Sequence, residues 1–462
     1  MNINPLRFFH FHLLLLQLEE YDLNRFFISI INTKGIPPDR PFRKPLKLTL
    51  KILMITFMSV VLMTIHIPFT LLFFPNILLI IPIIIVELYF GFIFISLGSS
   101  LLLPFDLLIK QLIIFLAKNK IRSLKKLKII GISGSYGKTG MKDIVSTILA
   151  EKYQIVKTPE SVNTPLGISQ VILKNLNRET DFFVVEMGEY YPRDIENICR
   201  IARQDIGIIT GVNEAHFERL KSIDAAVETI FELARFMKSN GILFLNEKDN
   251  YVKNSYKKFL RNQTVYLYKN REKTTFNENL PGYVYKNIPL KILGEFNFDK
   301  IDAAVFLSKK LFLTGKEIEA GLKKIKTPDH RLQPFLNLQN NLLIIDDSYN
   351  GNPNGVEEAV KTLALFKNRR KIFITPGLVE TGEKTREIHK RIGKILNDVV
   401  DLTILVKNSV TPYIAEGLSK SGFEKEKILW FPSMFEVQKK LSSLVKPGDV
   451  VLFQNDWPDN YV

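Results

Sequence analysis

The run Gly134-Ser135-Tyr136-Gly137-Lys138-Thr139 carries the residue types that a phosphate chain requires. Glycines free backbone N–H groups to wrap phosphate oxygens. A lysine supplies a point charge for the β/γ phosphates, and a threonine hydroxyl at a helix N-terminus is suited to magnesium. The flanks agree with that use. KLKIIGIS before the loop is β-rich and MKDIVSTILAEKY after it has helical patterning, so strand, glycine turn and helix follow in order. The strict phosphate-loop spacing asks for a glycine five residues before Gly137, at position 132. Ile132 stands there, so the match is to the shorter Gly-x-x-Gly-Lys-Thr form.

Other candidates lie at the ends of apolar runs. Glu186 closes FFVVEMG, where a carboxylate serves either as a metal ligand or as a plain strand-end charge. Asp347 follows LLIID and opens a turn, a place where helix N-capping competes with ligand contact. His216 stands in NEAHFE, and Arg331 in a linker-like HRL. The single cysteine, Cys199, lies in ENICRIA and reads as core. One thiol excludes an intramolecular disulfide framework.

Such residues need a frame. From 126 to 325 strands and helices alternate, which predicts a mostly parallel sheet wrapped by helices. From 326 to 462 the strand-like runs LLIIDD, KIFITPG, LTILVK, ILWFP and VVLFQ predict a second, doubly wound α/β domain of Rossmann type.

The first 120 residues differ in kind. Residues 48–68 and 77–97 are apolar runs long enough to span about 30 Å of hydrocarbon at about 1.5 Å per residue. Basic residues cluster before the first run and after the second, from Lys34 to Lys47 and from Lys110 to Lys128, and the connector is uncharged. By the positive-inside rule this predicts a transmembrane hairpin over 48–120 with both ends, and the catalytic domains, in the cytoplasm: a multi-pass protein of the cell membrane with lipid as a partner. Glu87 falls within the second run, where a carboxylate marks a candidate functional site. Residues 1–47, with the apolar stretch Leu6–Leu18, read as an amphipathic cytoplasmic segment. The chain has 63 Lys and Arg against 47 Asp and Glu, a net +16. With much of that excess beside the apolar runs and no nucleic-acid motif, nucleic acid is excluded as a partner.

Several further motifs occur in a fixed order. They are Thr158-Pro-Glu-Ser-Val-Asn163-Thr-Pro-Leu-Gly167, Glu186-Met187-Gly188, Thr210-Gly-Val-Asn213-Glu-Ala-His216-Phe-Glu218, Leu245-Asn246-Glu-Lys-Asp249, Gly294-Glu-Phe-Asn297, His330-Arg331-Leu332 and Asp346-Asp347-Ser348-Tyr349-Asn350-Gly-Asn352-Pro353. With the glycine loop, this series resembles the Mur ligase family, and most closely its D-Ala-D-Ala-adding members, from Lys126 to near the C-terminus. The resemblance implies a ligase that uses ATP and Mg²⁺ to turn a carboxylate into an acyl phosphate, which an amine then attacks. It implies roles as well. Gly134, Ser135, Tyr136, Gly137, Lys138 and Thr139 would cradle the nucleotide phosphates. Thr139 and Glu186 would hold one magnesium, and His216 a second. Asn297 would lie on the adenine side, Asp347 would contact the nucleotide, Asn350 would lie near the phosphates, and Arg331 would reach them when the C-terminal domain closes. Catalysis would rest on Lys138, Glu186, His216 and Arg331, acting on a carboxylate-bearing peptide or muropeptide and an amino acid or dipeptide.

The sequence departs from the family in three places. The lysine that members carry fourteen residues after the histidine, carbamylated to bridge magnesium, is Ile230 here, with Glu228 and Glu232 nearby as substitutes. The adenine-side pattern Gly-x-His-Asn-x-x-Asn reads Gly294-Glu-Phe296-Asn297-Phe-Asp-Lys300, with Phe296 where an adenine-stacking ring would stand. The stretch after Gly448-Asp-Val-Val-Leu452 lacks the family's basic residues. The family's first domain, which holds a UDP-sugar, has its place taken by the apolar hairpin, which implies an acid substrate delivered from the membrane. Two other readings stay open: a ligase of polyglutamate type, and a membrane-tethered nucleotide-binding scaffold without activity.

Overall fold

The computed structural model describes residues 4–38, 45–65, 67, 72, 80–160, 162–213, 220, 222–270, 272–278, 281–349, 351–378, 381 and 384–454. Two compact units divide the chain, residues 1–112 and residues 113–462.

In the larger unit, strands β1 (Lys128–Ser133), β2 (Ile155–Lys157), β3 (Phe182–Glu186), β4 (Ile206–Ile209), β5 (Ile242–Asn246) and β6 (Thr264–Tyr268) form one sheet in the order β2-β3-β1-β4-β5-β6. Every pairing in it is parallel. Alternation of side chains across the pleat explains its sequence. Phe183 and Val185 enter one apolar core with Ile129, Ile198 and Leu233, while Phe182 and Val184 enter another with Ile130, Ile132 and Phe298. A sheet buried on both faces needs near-continuous apolar strands, and FFVV supplies one.

Strands β7 (Thr274–Asn277), β8 (Gly282–Tyr285) and β9 (Ile288–Leu290) make a small antiparallel sheet, which the sequence reading did not foresee. The helix Phe296–Lys310 follows it. The last sheet comprises β10 (Gln333–Asn337), β11 (Leu342–Asp347), β12 (Lys371–Thr375), β13 (Leu402–Val406), β14 (Ile428–Phe431) and β15 (Val450–Gln454), in the order β10-β11-β15-β12-β13-β14. The five strands expected here are present and parallel. β10 is an added antiparallel edge whose Pro334 suits a place that needs few donors. The α/β class and both parallel sheets thus stand as read.

The N-terminal unit corrects the reading of the first 120 residues. The first apolar run forms the helix Leu50–Thr64, whose 15 residues extend only about 22 Å. The second is divided at Phe90 into Ile80–Tyr89 and Gly91–Ser123. Among the described residues only Gly91–Ser123 is long and apolar enough to cross a membrane, and a single such helix gives no hairpin. The multi-pass membrane location, the lipid partner and the membrane-delivered substrate are therefore withdrawn. Glu87 lies in the helix Ile80–Tyr89. The helix Pro5–Leu18 is also no amphipathic surface helix. Four consecutive residues, Leu13 to Leu16, are buried, and Leu13, Leu15 and Leu16 join Phe11, Phe26, Ile55 and Ile95 in the core of this unit. His12 on the same helix points its Nε2 at the Gly35 carbonyl, 3.1 Å away, and burial lowers its pKa to about 4.

Candidate active site

The glycine loop leaves β1 at the sheet's middle, where the chain has strands on both sides. In open α/β sheets this switch of direction opens a crevice at the carboxyl ends of the strands. Gly134 (φ +135°) and Gly137 (φ +76°) occupy backbone conformations that favour glycine. A methyl group on Gly134 would lie 2.3 Å from Thr210 Oγ1. Thr210 Oγ1 in turn donates to Ser133 O (3.1 Å) and Tyr136 O (2.5 Å), and Ser135 N donates to Gly211 O (2.9 Å). The helix Lys138–Leu149 starts at Gly137 with no side-chain cap, so its first N–H groups face the loop's concavity. A tight glycine turn closing on an uncapped helix start fits a phosphate chain.

Two lysines on that helix, one turn apart, meet two carboxylates at the end of β3. Lys138 Nζ donates to both carboxylate oxygens of Glu189 (2.8 Å each) and to Gly134 O (2.6 Å). Lys142 Nζ, fully buried, donates to Glu186 Oε2 (3.0 Å) and Glu160 O (2.7 Å). Burial pushes the Glu189 carboxyl up, against the pull of Lys138. Thr158 Oγ1 accepts from Glu186 N (3.1 Å), and Asn163 O accepts from Gly188 N (2.9 Å), so the Thr158–Gly167 motif anchors the strand end that carries Glu186.

Opposite, Tyr136 OH donates to Asp249 Oδ2 (2.8 Å), which also accepts from Val212 N (2.9 Å). Burial, then the Asp249 charge, raises the Tyr136 pKa, so the phenol stays protonated. The third wall comes from Phe296–Lys310. Asn297 Nδ2 donates to Leu293 O (2.7 Å), which turns its Oδ1 toward Lys300 Nζ (2.8 Å). Lys300 is buried over the Phe296 ring, 4.4 Å from its centre, so that face of the ring is covered by a cation.

Arg331 and Asp347 lie at the mouth of the C-terminal sheet. His330 (φ +59°) and Leu332 (φ +51°) flank Arg331 in left-handed backbone. The Arg331 guanidinium lies over the Tyr349 ring at 5.0 Å. Its charge also acts on Lys300, so the two cations share a neighbourhood. Asp347 Oδ1 accepts from Leu332 N (3.1 Å). Burial raises the Asp347 pKa to about 7, against the pull of that bond and of Arg331. Asp347 is not an N-cap: the helix Pro353–Ala364 is capped by Asn352, whose Oδ1 accepts from Gly355 N (2.9 Å).

The loop residues and Glu186 thus come together, Asn297 lies against the loop's far side, and Arg331 and Asp347 sit on the following domain. His216 and Asn350 lie outside the described residues. Neither carboxylate near Ile230 takes the place of the missing bridging lysine. Ile230 itself is fully buried in the apolar core. Glu232 accepts from Arg193 N (2.7 Å) and Glu196 N (2.8 Å) at a helix start, and the exposed Glu228 pairs with Arg235 (2.7 Å). The sequence reading missed Glu189 and Lys142. The i, i+4 spacing of Lys138 and Lys142 was the available signal, because it puts both ammonium groups on one helix face.

Comparison with known proteins agrees with this frame. Residues 132–306 match the Mur ligase middle domain, and residues 330–454 match the Mur ligase, glutamate ligase domain, together about two thirds of the chain. The UDP-N-acetylmuramoyl-tripeptide–D-alanyl-D-alanine ligase of Bacillus subtilis is 25% identical over 335 residues, 71% of this chain and 72% of that one. The Buchnera aphidicola (from Acyrthosiphon pisum) protein of the same name is 27% identical over 348 residues, 71% and 75%. Among solved structures, MurF ligase from Thermotoga maritima in complex with ADP shares the fold at TM-score 0.65 and 24% identity, covering 75% of this chain and 80% of that one. MurF from Acinetobacter baumannii does so at TM-score 0.66 and 21% identity, covering 75% and 77%. The chain belongs to the Mur ligase family and is an ATP- and Mg²⁺-dependent ligase that forms C–N bonds.

Proposed function

We propose that this ligase joins D-alanyl-D-alanine to a UDP-N-acetylmuramoyl-tripeptide in peptidoglycan precursor synthesis. The observation that carries the reading is the alignment of about 70% of the chain with relatives bearing that activity in their names. A polyglutamate-type ligase has support only at the level of fold, through a folylpolyglutamate synthase structure at 13% identity.

The bound Mg-ATP supplies a phosphoryl group that makes the acid's carboxylate an acyl phosphate, open to attack by the amine. The chain's own residues bind and orient. Backbone N–H groups along Gly134–Thr139, save that of Ser135, and the uncapped helix start hold phosphate oxygens, with Ser135 lining the loop. Lys138 exchanges Glu189 for the β/γ phosphates, a swap of one anion for another at a 2.8 Å ion pair. The Thr139 hydroxyl and the Glu186 carboxylate are the hard oxygen donors suited to magnesium, and His216 is assigned a second metal contact by its motif. Asn297 sets the base-side wall. Asp347 and Asn350 take nucleotide contacts, and Arg331 reaches the phosphates as the C-terminal domain closes. Domain bounds of 126–325 and 326–462 frame this division of labour, with residues 1–47 and 48–120 as two N-terminal segments.

The test is phosphate release by the purified full-length chain with Mg-ATP, UDP-muramoyl-tripeptide and D-Ala-D-Ala. Release that requires both substrates and disappears in Lys138→Ala supports the reading. Release with L-glutamate in place of the dipeptide would replace it with the polyglutamate alternative.

A further inference from the structure

Among the described residues, the wall opposite the paired lysines holds a lysine with no carboxylate in ion-pair contact. Lys300 is 8% exposed, and its Nζ donates to one neutral group, Asn297 Oδ1 at 2.8 Å. Among the described residues no carboxylate lies within ion-pair distance of it. Asp299, next to it in sequence, is taken by Lys248 (2.9 Å) and by the amide of Asn270 (2.6 Å). Two charges act on Lys300: Arg331 repels it, and Asp299, engaged elsewhere, attracts it more weakly. A buried ammonium without a counter-ion is costly, so burial lowers the Lys300 pKa to about 7, and a bound anion would hold its proton in place.

Its position says which ligand. A methyl group on Gly140 would lie 3.1 Å from Lys300 Nζ, and one on Gly137 would lie 3.2 Å from Lys300 Cε and 3.8 Å from Nζ. The ammonium therefore sits against the start of the phosphate-loop helix, where backbone N–H groups converge on an anion. The family pattern asks for asparagine at this place, an uncharged group. We propose that Lys300 is a phosphate ligand of the bound nucleotide, a second cation on the side of the loop away from Lys138. The inference rests on the ATP-binding reading of the loop and not on the identity of the acid or amine. Arg331 then completes the charge balance from the C-terminal domain, so that one anionic chain relieves two mutually repelling cations.

The experiment is calorimetric titration of the full-length chain with adenosine, ADP and inorganic tripolyphosphate, for wild type, Lys300→Met and Lys300→Gln. The expected result is a loss of at least about tenfold in affinity for ADP and tripolyphosphate, with adenosine unchanged. The logarithmic salt dependence of ADP binding should also become shallower, because one ionic contact is gone. Thermal melts check folding. Without ligand the variants should melt at or above the wild-type temperature, since a repelling buried charge has been removed, while the ADP-induced rise shrinks. Equal losses for adenosine and ADP would make position 300 an adenine contact and overturn the proposal. Unchanged ADP affinity in both variants would reduce Lys300 to packing and overturn it too. Wild-type ADP binding without turnover of the muramoyl substrates would sink the substrate assignment while leaving this binding test intact.

Discussion

The β3 side and the Phe296–Lys310 side of the crevice solve the same problem in opposite ways. On the first, each lysine has its own buried carboxylate, the half-buried Lys138 with Glu189 at 2.8 Å and the buried Lys142 with Glu186 at 3.0 Å. On the second, Lys300 faces an amide, an aromatic ring and a second cation. Burial costs an ion several kcal/mol, so a pair inside the protein is self-sufficient and an unpaired ion awaits a partner. The contrast teaches that the paired side is built before the nucleotide arrives and must exchange partners to bind it. The unpaired side is completed by binding.

The largest effect tests the paired side. Lys138→Ala should lower kcat by roughly 10²- to 10³-fold, the scale for removing a group that stabilises developing charge. It should also destabilise the fold by roughly 3–5 kcal/mol, because Glu189 loses its cation. The sign with pH is fixed. Glu189 already has a raised pKa, so in the variant it holds a proton that the unfolded chain has released above about pH 4, and stability falls as pH rises. Denaturant melts at pH 5 and pH 8 measure this. The double variant Lys138→Ala/Glu189→Gln should recover the stability without recovering turnover; recovery of both would mean that Glu189, not Lys138, limits the reaction.

Lys142→Met comes next, with a loss of about 3 kcal/mol from the orphaned Glu186 and no direct phosphate contact removed. Adding Glu186→Leu should restore the melting temperature. If a single-site variant of Lys142 melts like the wild type, the pair is not the self-sufficient one described above.

What the sequence revealed follows from the reach of each interaction. The phosphate loop is local chemistry, complete within six residues, and the apolar strand FFVV announces a sheet covered on both faces. The ion pairs are tertiary: Lys138 and Glu189 lie 51 positions apart, and Lys142 and Glu186 lie 44 apart, so no spacing rule links them. The apolar runs over 48–68 and 77–97 misled because composition counts apolar residues without locating helix breaks, and the break at Phe90 decides the matter. In Pro5–Leu18 the signal was present. Four leucines in succession cover every side of a helix, which predicts burial rather than an amphipathic face. At Asp347 two readings competed, and Asn352, five residues on, took the capping role.

Asp347 offers a smaller effect on the unpaired side. Its pKa is raised to about 7 by burial, above the value near 4 of an exposed aspartate. The folded chain therefore binds a proton that the unfolded chain releases, and stability falls between about pH 4 and pH 7 for this group. Asp347→Asn keeps an acceptor for the Leu332 amide and removes the titration. Melts across pH 4–8 should show the variant gaining on the wild type as pH rises, by a degree or more at pH 8. A constant difference would place the proton elsewhere. An ADP-bound chain should show a steeper dependence, because phosphate neutralises Arg331, whose charge holds the Asp347 pKa down.

Tyr136→Phe marks the small end of the scale. The phenol donates to Asp249 Oδ2 at 2.8 Å, but that carboxylate also accepts from Val212 N (2.9 Å) and, through Oδ1, from Val252 N (2.8 Å). Removing one of three donors to a charged acceptor costs about 1.5–3 kcal/mol at most, and the acceptor is not left bare. The ring itself packs against Gly211, where a methyl group would lie 2.2 Å from it, so phenylalanine keeps the loop's shape. The expected result is a modest fall in melting temperature and a change of less than about threefold in KM for ATP. A tenfold rise in KM would show that the hydroxyl itself touches the nucleotide, and its reading as a bond that only shapes the loop would give way.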